Sequence, residues 1–212
     1  HKEWEHIVVD DQSTDNTEEI VFGYQKADSR IKYFKNPVKG ANNARNFGFE
    51  QSKGEYITFL DDDNINLPHK FESQLKAIKK TGVQYLVSGV EARLIGTNKL
   101  LGTYNCEIKG KGAGHPQRWM LSRELLKSSG GWDPEMPSMQ EVELSYRLAN
   151  LETFSMHNRI VSVMYLVPGS VSTDKTNAIK GKILLMQKQA ENMPAPEASW
   201  WYVNIVWSLF YK

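Results

Sequence analysis

Two aspartate-rich segments hold the densest potential chemistry in this sequence. The first, Asp10-Asp11-Gln12-Ser13-Thr14-Asp15-Asn16-Thr17, follows the apolar run Ile7-Val8-Val9. The second, Asp61-Asp62-Asp63-Asn64, follows Tyr56-Ile57-Thr58-Phe59-Leu60. Carboxylates packed this closely repel one another, and a hard divalent cation relieves the repulsion. Oxygen donors suit Mg²⁺ or Mn²⁺, and Mg²⁺ is commonly held by one or two carboxylates together with substrate phosphates. Asp and Asn are also favoured in turns and at helix N-caps, and Ser13–Glu18 reads in part as a helix start. Two such turns, each closing a strand of buried type, favour a ligand site over turn chemistry alone.

The elements that must position these groups alternate along the first half. Strands are expected at 6–10, 31–34, 56–60 and 84–89. Helices are expected at 16–26, 40–52 and 68–81, the last with Phe71, Leu75 and Ile78 at three-to-four spacing. This alternation predicts right-handed βαβ crossovers and a mostly parallel sheet flanked by helices, an α/β fold. Ligands of such sheets bind beyond the carboxyl ends of the strands, where both aspartate segments fall. The second half reads as strands within 91–105 joined by a turn at 96–98, a Gly and Lys loop at 110–115, a strand at 118–121, helices at 122–128 and 140–149, and strands at 153–156 and 160–166. A helical stretch from residue 178 is broken by Met193-Pro194-Ala195-Pro196.

Composition narrows the class. The 212 residues suffice for one sizeable α/β domain, and a net charge of +1 gives no footprint for nucleic acid. The one cysteine, Cys106, excludes an intramolecular disulfide and fits a reducing compartment. No apolar run reaches the roughly 18 residues of a membrane-spanning helix.

Four blocks together resemble a family. Ile7-Val8-Val9-Asp10-Asp11-Gln12-Ser13-Thr14-Asp15-Asn16-Thr17 is similar to the nucleotide-sugar strand of family 2 glycosyltransferases with a GT-A fold. Gly40-Ala41-Asn42-Asn43-Ala44-Arg45-Asn46-Phe47-Gly48 resembles their G-x-x-x-A-R-N-x-G segment. Gly54-Glu55-Tyr56-Ile57-Thr58-Phe59-Leu60-Asp61-Asp62-Asp63 resembles G-E-Y-I-x-F-L-D-x-D. Gly130-Gly131-Trp132-Asp133, followed by Glu141-Val142-Glu143-Leu144-Ser145-Tyr146-Arg147, resembles the G-G-F-D and E-D-x-E-L-x-x-R blocks. The blocks run in family order from about residue 3 to residue 172. The resemblance implies a GT-A domain over 1–172 and a C-terminal helical, aromatic extension over 173–212.

It also implies roles. Asp63 and Asp61 would meet a Mg²⁺ or Mn²⁺ ion, Asp61 alternatively the ribose, with Asp62 as the variable middle residue. Asp11 would accept a hydrogen bond from the nucleobase, usually uracil, with Asp10 and Ser13 shaping its loop. Arg45 would face the nucleotide or hold the loop in an ion pair. Glu141 stands where the family usually places an aspartate general base, and Glu143 is the runner-up. Trp132 either flanks the acceptor sugar or packs in the core. His115, after the glycine-rich loop, is a candidate acceptor contact. The implied reaction is an inverting transfer of sugar from a nucleoside-diphosphate sugar to a hydroxyl of a saccharide or lipid-linked acceptor. A non-catalytic sugar-nucleotide or glycan-binding module on the same scaffold is the alternative. A nucleotidyltransferase is disfavoured because no Gly-rich, Lys-containing triphosphate loop is visible.

The chain departs from the family pattern in three places. The strand and helix that normally precede the first aspartate segment are absent ahead of His1, so the sequence reads as N-terminally incomplete, with 6–10 and 56–60 not expected to pair. Gln140-Glu141 replaces the usual Glu-Asp pair. Val167 stands where a metal-ligating histidine is usual. The tail Trp200–Tyr211 carries three Trp, two Tyr and one Phe. It is expected either to touch a membrane surface or to cover the domain or a homodimer interface. The expected location is cytoplasmic, at most peripheral to the inner membrane face.

Overall fold

A computed structural model describes residues 3–104, 114–166 and 174–210. In chain order the elements are β1 (His6–Asp10), α1 (Thr17–Ala27), β2 (Ile31–Lys35), α2 (Ala41–Gln51), β3 (Tyr56–Ile57), β4 (Ile65–Asn66), α3 (Lys70–Thr81), β5 (Tyr85–Leu94) and β6 (Lys99–Tyr104). They continue with β7 (Trp119–Ser122), α4 (Arg123–Ser128), α5 (Gln140–Leu151), β8 (Ser155–Leu166), α6 (Lys175–Gln189) and α7 (Ala195–Phe210). Cys106, most of the Gly and Lys loop, and Val167 lie outside the described residues.

The α/β alternation expected for the first half is present. β1 and β2 pair in parallel across α1, from His6 opposite Ile31 to Asp10 opposite Lys35. A second sheet has the order β3-β7-β5-β8-β4, with β6 on β5. β5 is its axis. β8 runs parallel along one edge, while β7 and then β6 run antiparallel along the other. The described pairing is therefore mixed. β1–β2 and β5–β8 are parallel, and the other four ladders are antiparallel. Parallel neighbours need a crossover of a dozen residues or more, whereas β5 and β6 are joined by the short Ile95–Asn98 turn, which can only reverse the chain. β1 and β3 do not pair, as expected. The strand expected at 56–60 keeps ladder bonds only at Tyr56 and Ile57, opposite Ser122 and Leu121. The two strands expected at 153–156 and 160–166 form one continuous β8, whose register shifts opposite Ser88–Val90.

Side-chain alternation on β5 builds the core on both faces. Tyr85 and Val87 point to a cluster with Trp119, Leu121, Leu125, Leu126, Trp132, Leu144 and Leu148, beneath α4 and α5. Leu86 points the other way, onto Met120 and Ile78, with Phe71 and Leu75 of α3 alongside. Helices α6 and α7 pack on α5 through a third cluster that includes Tyr146, Leu185, Met186 and Ile205.

One connection matters most to the site. The loop before α5 is fastened to α2 by asparagines on that helix. Asn46 clamps the Trp132 backbone from both sides: its Oδ1 accepts from the Trp132 N–H at 2.8 Å and its Nδ2 donates to the Trp132 carbonyl at 2.7 Å. Asn42, 4% exposed, donates to the Asp133 carbonyl at 2.6 Å. The approach is close enough that a Cβ on Gly131, at φ +72°, would meet Asn46 Oδ1 at 2.7 Å. Only glycine combines that φ with that contact.

Each buried backbone group left unpaired costs about 1–3 kcal/mol. Asn46→Ala orphans two, so chemical denaturation is expected to show a loss of at least ~2 kcal/mol. Tryptophan emission should shift to the red as Trp132 loosens.

Candidate active site

Helix α2 connects both aspartate segments. At its start, Asp11 accepts from the Gly40 N–H with both oxygens, at 2.9 and 3.1 Å, and its Oδ1 also accepts from Asn36 Nδ2 at 2.7 Å. Gly40 is the helix N-cap, at φ 128°, a backbone angle that side chains oppose. Asp11 thus sits against the positive end of the helix, where carboxylates are stabilised. Its neighbour Asp10 is buried and serves the loop itself. Its Oδ1 accepts from the Ser13 N–H at 2.7 Å and its Oδ2 from the Tyr33 hydroxyl at 2.7 Å. The Ser13 hydrogen bonds, then that of Tyr33, hold the Asp10 carboxyl below its ordinary pKa against the cost of burial. Ser13 and Asp10 together hold the turn, and Asp15 accepts from both the N–H and the hydroxyl of Thr17, the first residue of α1.

Five residues into α2, Arg45 reaches the second segment. At a rise of about 1.5 Å per residue, Gly40 and Arg45 lie roughly 7 Å apart along the axis. Arg45 Nη2 donates to Asp61 Oδ1 at 2.9 Å, an ion pair with both partners partly exposed. Its Nη1 donates to Asn42 Oδ1 and Gln140 Oε1, each at 3.3 Å. The guanidinium carbon lies 4.6 Å from the centre of the Trp132 ring. Of the two roles expected for Arg45, the ion pair is the one observed here.

Asp62 and Asp63 are exposed, and neither side chain hydrogen-bonds to another described residue. Partial desolvation, then the charges of Asp61 and Asp62, push the Asp63 carboxyl above its ordinary pKa. Added positive charge at this point would be stabilised. The turn is closed by the Asn64 N–H donating to the Asp61 carbonyl at 3.1 Å, and Asn64 Oδ1 anchors it on the Tyr165 N–H of β8 at 2.9 Å. Among the described residues no group of three His, Cys, Asp or Glu side chains converges as a closed metal cage. Asp63 and Asp61 supply one or two carboxylates, a donor set that fits Mg²⁺ or Mn²⁺ shared with substrate phosphates.

On the far side, α5 opens with Gln140 and Glu141 after Met139, itself at φ 58°. The Glu141 carboxylate has no hydrogen-bond or ion-pair partner among the described side chains. Burial raises its pKa and Asp61 adds to that, while Arg45 works against both. Glu141 directly follows Gln140, which accepts from Arg45. Glu143 has a different environment. It is 2% exposed, pairs with Arg147 at 2.6 Å and accepts from Gln189 Nε2 at 2.9 Å, so it holds α5 to α6.

His115 lies just before β7, its ring centre 5.9 Å from that of Tyr104. Burial and then Arg118 lower its pKa, and the Asp61 carboxylate opposes them. Trp132 departs from the role of an open acceptor platform. It is 1% exposed, stacked 6.0 Å from Trp119 and edge-on to Phe59. Its part in the site is to carry Arg45. Asn36, Asn42, Asn46 and Asn64 were not singled out in the sequence, yet each fixes a candidate residue or its loop. Asn42 and Asn46 stand within the Gly40–Gly48 block and Asn64 closes the second aspartate segment, but residue type alone did not show what they hold.

The arrangement joins the Asp61–Asp63 turn, an arginine, and a carboxyl of raised pKa without a partner among the described residues. That combination suits removal of a proton from a hydroxyl beside a phosphate-bearing substrate.

The family profile described as Glycosyl transferase family 2 matches residues 1–128. The chain is 36% identical over 120 residues to the UDP-Glc:alpha-D-GlcNAc-diphosphoundecaprenol beta-1,3-glucosyltransferase WfgD of Escherichia coli, covering 52% of this chain and 46% of that protein. The chain thus spans about half the length of this relative. Among solved structures it resembles S. aureus TarS 1-349 in complex with UDP-GlcNAc, with a TM-score of 0.73 at 16% identity over 97% of this chain and 63% of that 1-349 chain. The mannosyltransferase PcManGT of Pyrobaculum calidifontis, in complex with GDP-Man and Mn²⁺, gives a TM-score of 0.67 at 14% identity, over 98% of this chain and 61% of that one. At such identities the two structures establish the fold, which is GT-A.

Proposed function

Because this chain belongs to glycosyl transferase family 2, we propose that it is an inverting glycosyltransferase that moves a sugar from a nucleoside-diphosphate sugar, preferably a UDP-sugar, to a hydroxyl of a lipid-linked saccharide. The observation that carries this reading is the Arg45 node, which ties Asp61 of the donor-side turn to Gln140, next to the unpartnered Glu141. In this reading Asp11 and its loop receive the base, and Asp61, Asp63 and Arg45 face the diphosphate. A bound Mg²⁺ or Mn²⁺ would be held by Asp63 and Asp61 and would offset the negative charge of the departing nucleoside diphosphate. Glu141 takes the proton of the acceptor hydroxyl as its oxygen bonds to the anomeric carbon and the bond to the phosphate oxygen breaks. A raised pKa makes Glu141 a better base once it is ionised. His115 flanks the acceptor. The lipid-linked acceptor class is supported by the substrate named for the Escherichia coli relative.

The C-terminal helix fits the same acceptor. One side of α7 carries Trp200, Tyr202, Val203, Val206, Trp207 and Leu209, each more than half exposed, with no charged residue among them. The other side, Ala198, Trp201 and Ile205, packs in the third core cluster. No helix of the described residues is long and apolar enough to cross a membrane. Trp and Tyr favour the lipid headgroup region, so this face is assigned as a peripheral contact with the membrane that holds the acceptor.

Asp63→Ala is expected to keep the fold and to lose the Mn²⁺-dependent part of UDP-sugar binding, read by calorimetry with and without the metal. Wild-type affinity with unchanged metal dependence would remove Asp63 from the site. Glu141→Gln is expected to keep donor affinity and to lower transfer about a hundredfold or more. In the wild type the rate should rise with pH through a carboxyl pKa above the ordinary glutamate value, because only ionised Glu141 accepts the proton. That limb should vanish in Glu141→Gln. A binding module in place of an enzyme would show donor binding without transfer or donor hydrolysis in either protein. For α7, the triple substitution Trp200→Ser, Val203→Ser and Val206→Ser should abolish sedimentation with anionic liposomes. If it instead dissociates a dimer, the face is a protein interface.

A further inference from the structure

Lys70, the first residue of α3, is 1% exposed. A buried ammonium costs several kcal/mol of desolvation, and the usual compensation is a carboxylate. Lys70 has none among the described residues. Its Nζ donates to Asn66 Oδ1 at 3.1 Å and to the main-chain carbonyl of Gln117. Desolvation pulls its pKa down to about 7. For stability alone an apolar side chain of similar volume would do as well or better, since buried charges are often replaced by packed apolar groups without loss. The retained amine therefore needs another explanation, and its second partner supplies one.

Gln117 belongs to a 3-10 turn, Pro116–Arg118, that leads into β7. The residue at its head is His115, held at φ 62°, a left-handed angle that non-glycine side chains rarely adopt. Such an angle is strained and persists only when surrounding contacts enforce it. The contacts come from one face of α3. Lys70 takes the carbonyl of Gln117, and Gln74, one helical turn on, donates to the carbonyl of Arg118 at 3.0 Å and to Ser88 Oγ at 3.0 Å. Arg118 in turn donates from Nε to the Ser88 carbonyl at 2.6 Å. Two successive carbonyls of the turn are thus gripped from beneath, directly after His115, whose own carbonyl accepts from the Arg118 N–H at 3.1 Å.

We propose that Lys70 is a positioning residue for the acceptor side of the site, acting through the Gln117 carbonyl to hold the turn that His115 opens. The assignment rests on the glycosyl-transfer reading given above. It predicts that loss of the amine displaces the turn, and with it the acceptor, while the donor side, built on β1, α2 and the Asp61 turn, stays in place.

Lys70→Met keeps the volume of the stem and removes the donor. The readouts are UDP-sugar hydrolysis without acceptor, transfer with acceptor, and amide hydrogen exchange at Gln117 and Arg118. The expected result is a fall of at least tenfold in the ratio of transfer to hydrolysis, a raised acceptor KM, and faster exchange at those two amides. Lys70→Gln, whose amide suits the polar company of Asn66 and Gln74 but is too short to reach Gln117 in the same way, should show the same split and serves if Lys70→Met does not fold. The proposal is overturned if transfer and hydrolysis fall together, if the ratio stays within twofold of wild type, or if exchange at Gln117 and Arg118 is unchanged. Absence of any UDP-, GDP- or dTDP-sugar turnover in the wild type would sink the glycosyl-transfer reading by itself. Unchanged exchange in the variant would sink the Lys70 assignment whether or not that turnover exists.

Discussion

The Arg45 guanidinium lies on the Trp132 ring and reaches Asp61, Gln140 and Asn42 from there. The geometry needs an arginine. A planar fork with five donors can rest its face on an aromatic ring and still donate in its own plane to several acceptors, whereas a lysine ammonium is a single point of charge. Asp61, Asp62 and Asp63 put three carboxylates at one turn, and Arg45 is the cation that meets one of them. Its position depends on Trp132, which depends on the Asn46 clamp and on the glycine at 131. A chain of short contacts thus runs from the aromatic core to the charged turn.

The two glutamates of α5 show how one helix separates structure from chemistry. Residues 141 and 143 lie about 200° apart around the axis, so they face opposite ways. Glu143 turns inward, where Arg147 and Gln189 satisfy it. Glu141 faces the other way and has no partner among the described residues, so burial raises its pKa. The same division appears in the first segment. Asp10 is satisfied by Ser13 and Tyr33 and holds a loop, while Asp11 sits at the start of α2.

The mixed sheet gives these groups a common frame. β5 is bonded along both edges, and its two faces feed separate clusters beneath α4 and α5 on one side and α3 on the other. α3 therefore both covers the sheet and reaches the 115–118 turn through Lys70 and Gln74. α5 covers the opposite face and presents Glu141 at its first turn. Helices on both sides of a single strand array deliver residues to the same rim.

Most elements were legible in the sequence because periodicity and turn chemistry are local properties. The apolar runs ending at Asp10 and Asp61, the Phe71, Leu75 and Ile78 stripe, and the order of the four family-like blocks need no long-range information. The carboxylates as a group, Arg45 and Glu141 could likewise be singled out as candidates from residue type and block. The turn at 96–98 that reverses β5 into β6 was legible too, but the ladders of β7 and β4, the continuous β8 and the short β3 were not, because strand partners are chosen by connections and burial across the whole chain. The burial of Trp132 and Lys70 was also out of reach. A tryptophan after two glycines and a lysine at a helix start have the same local appearance whether they face water or the core. The sequence alone determined which groups were available for chemistry. Only the tertiary structure decided which of them are used up in holding one another, because hydrogen bonds such as Asn46 to Trp132 or Lys70 to Gln117 join residues 86 and 47 positions apart.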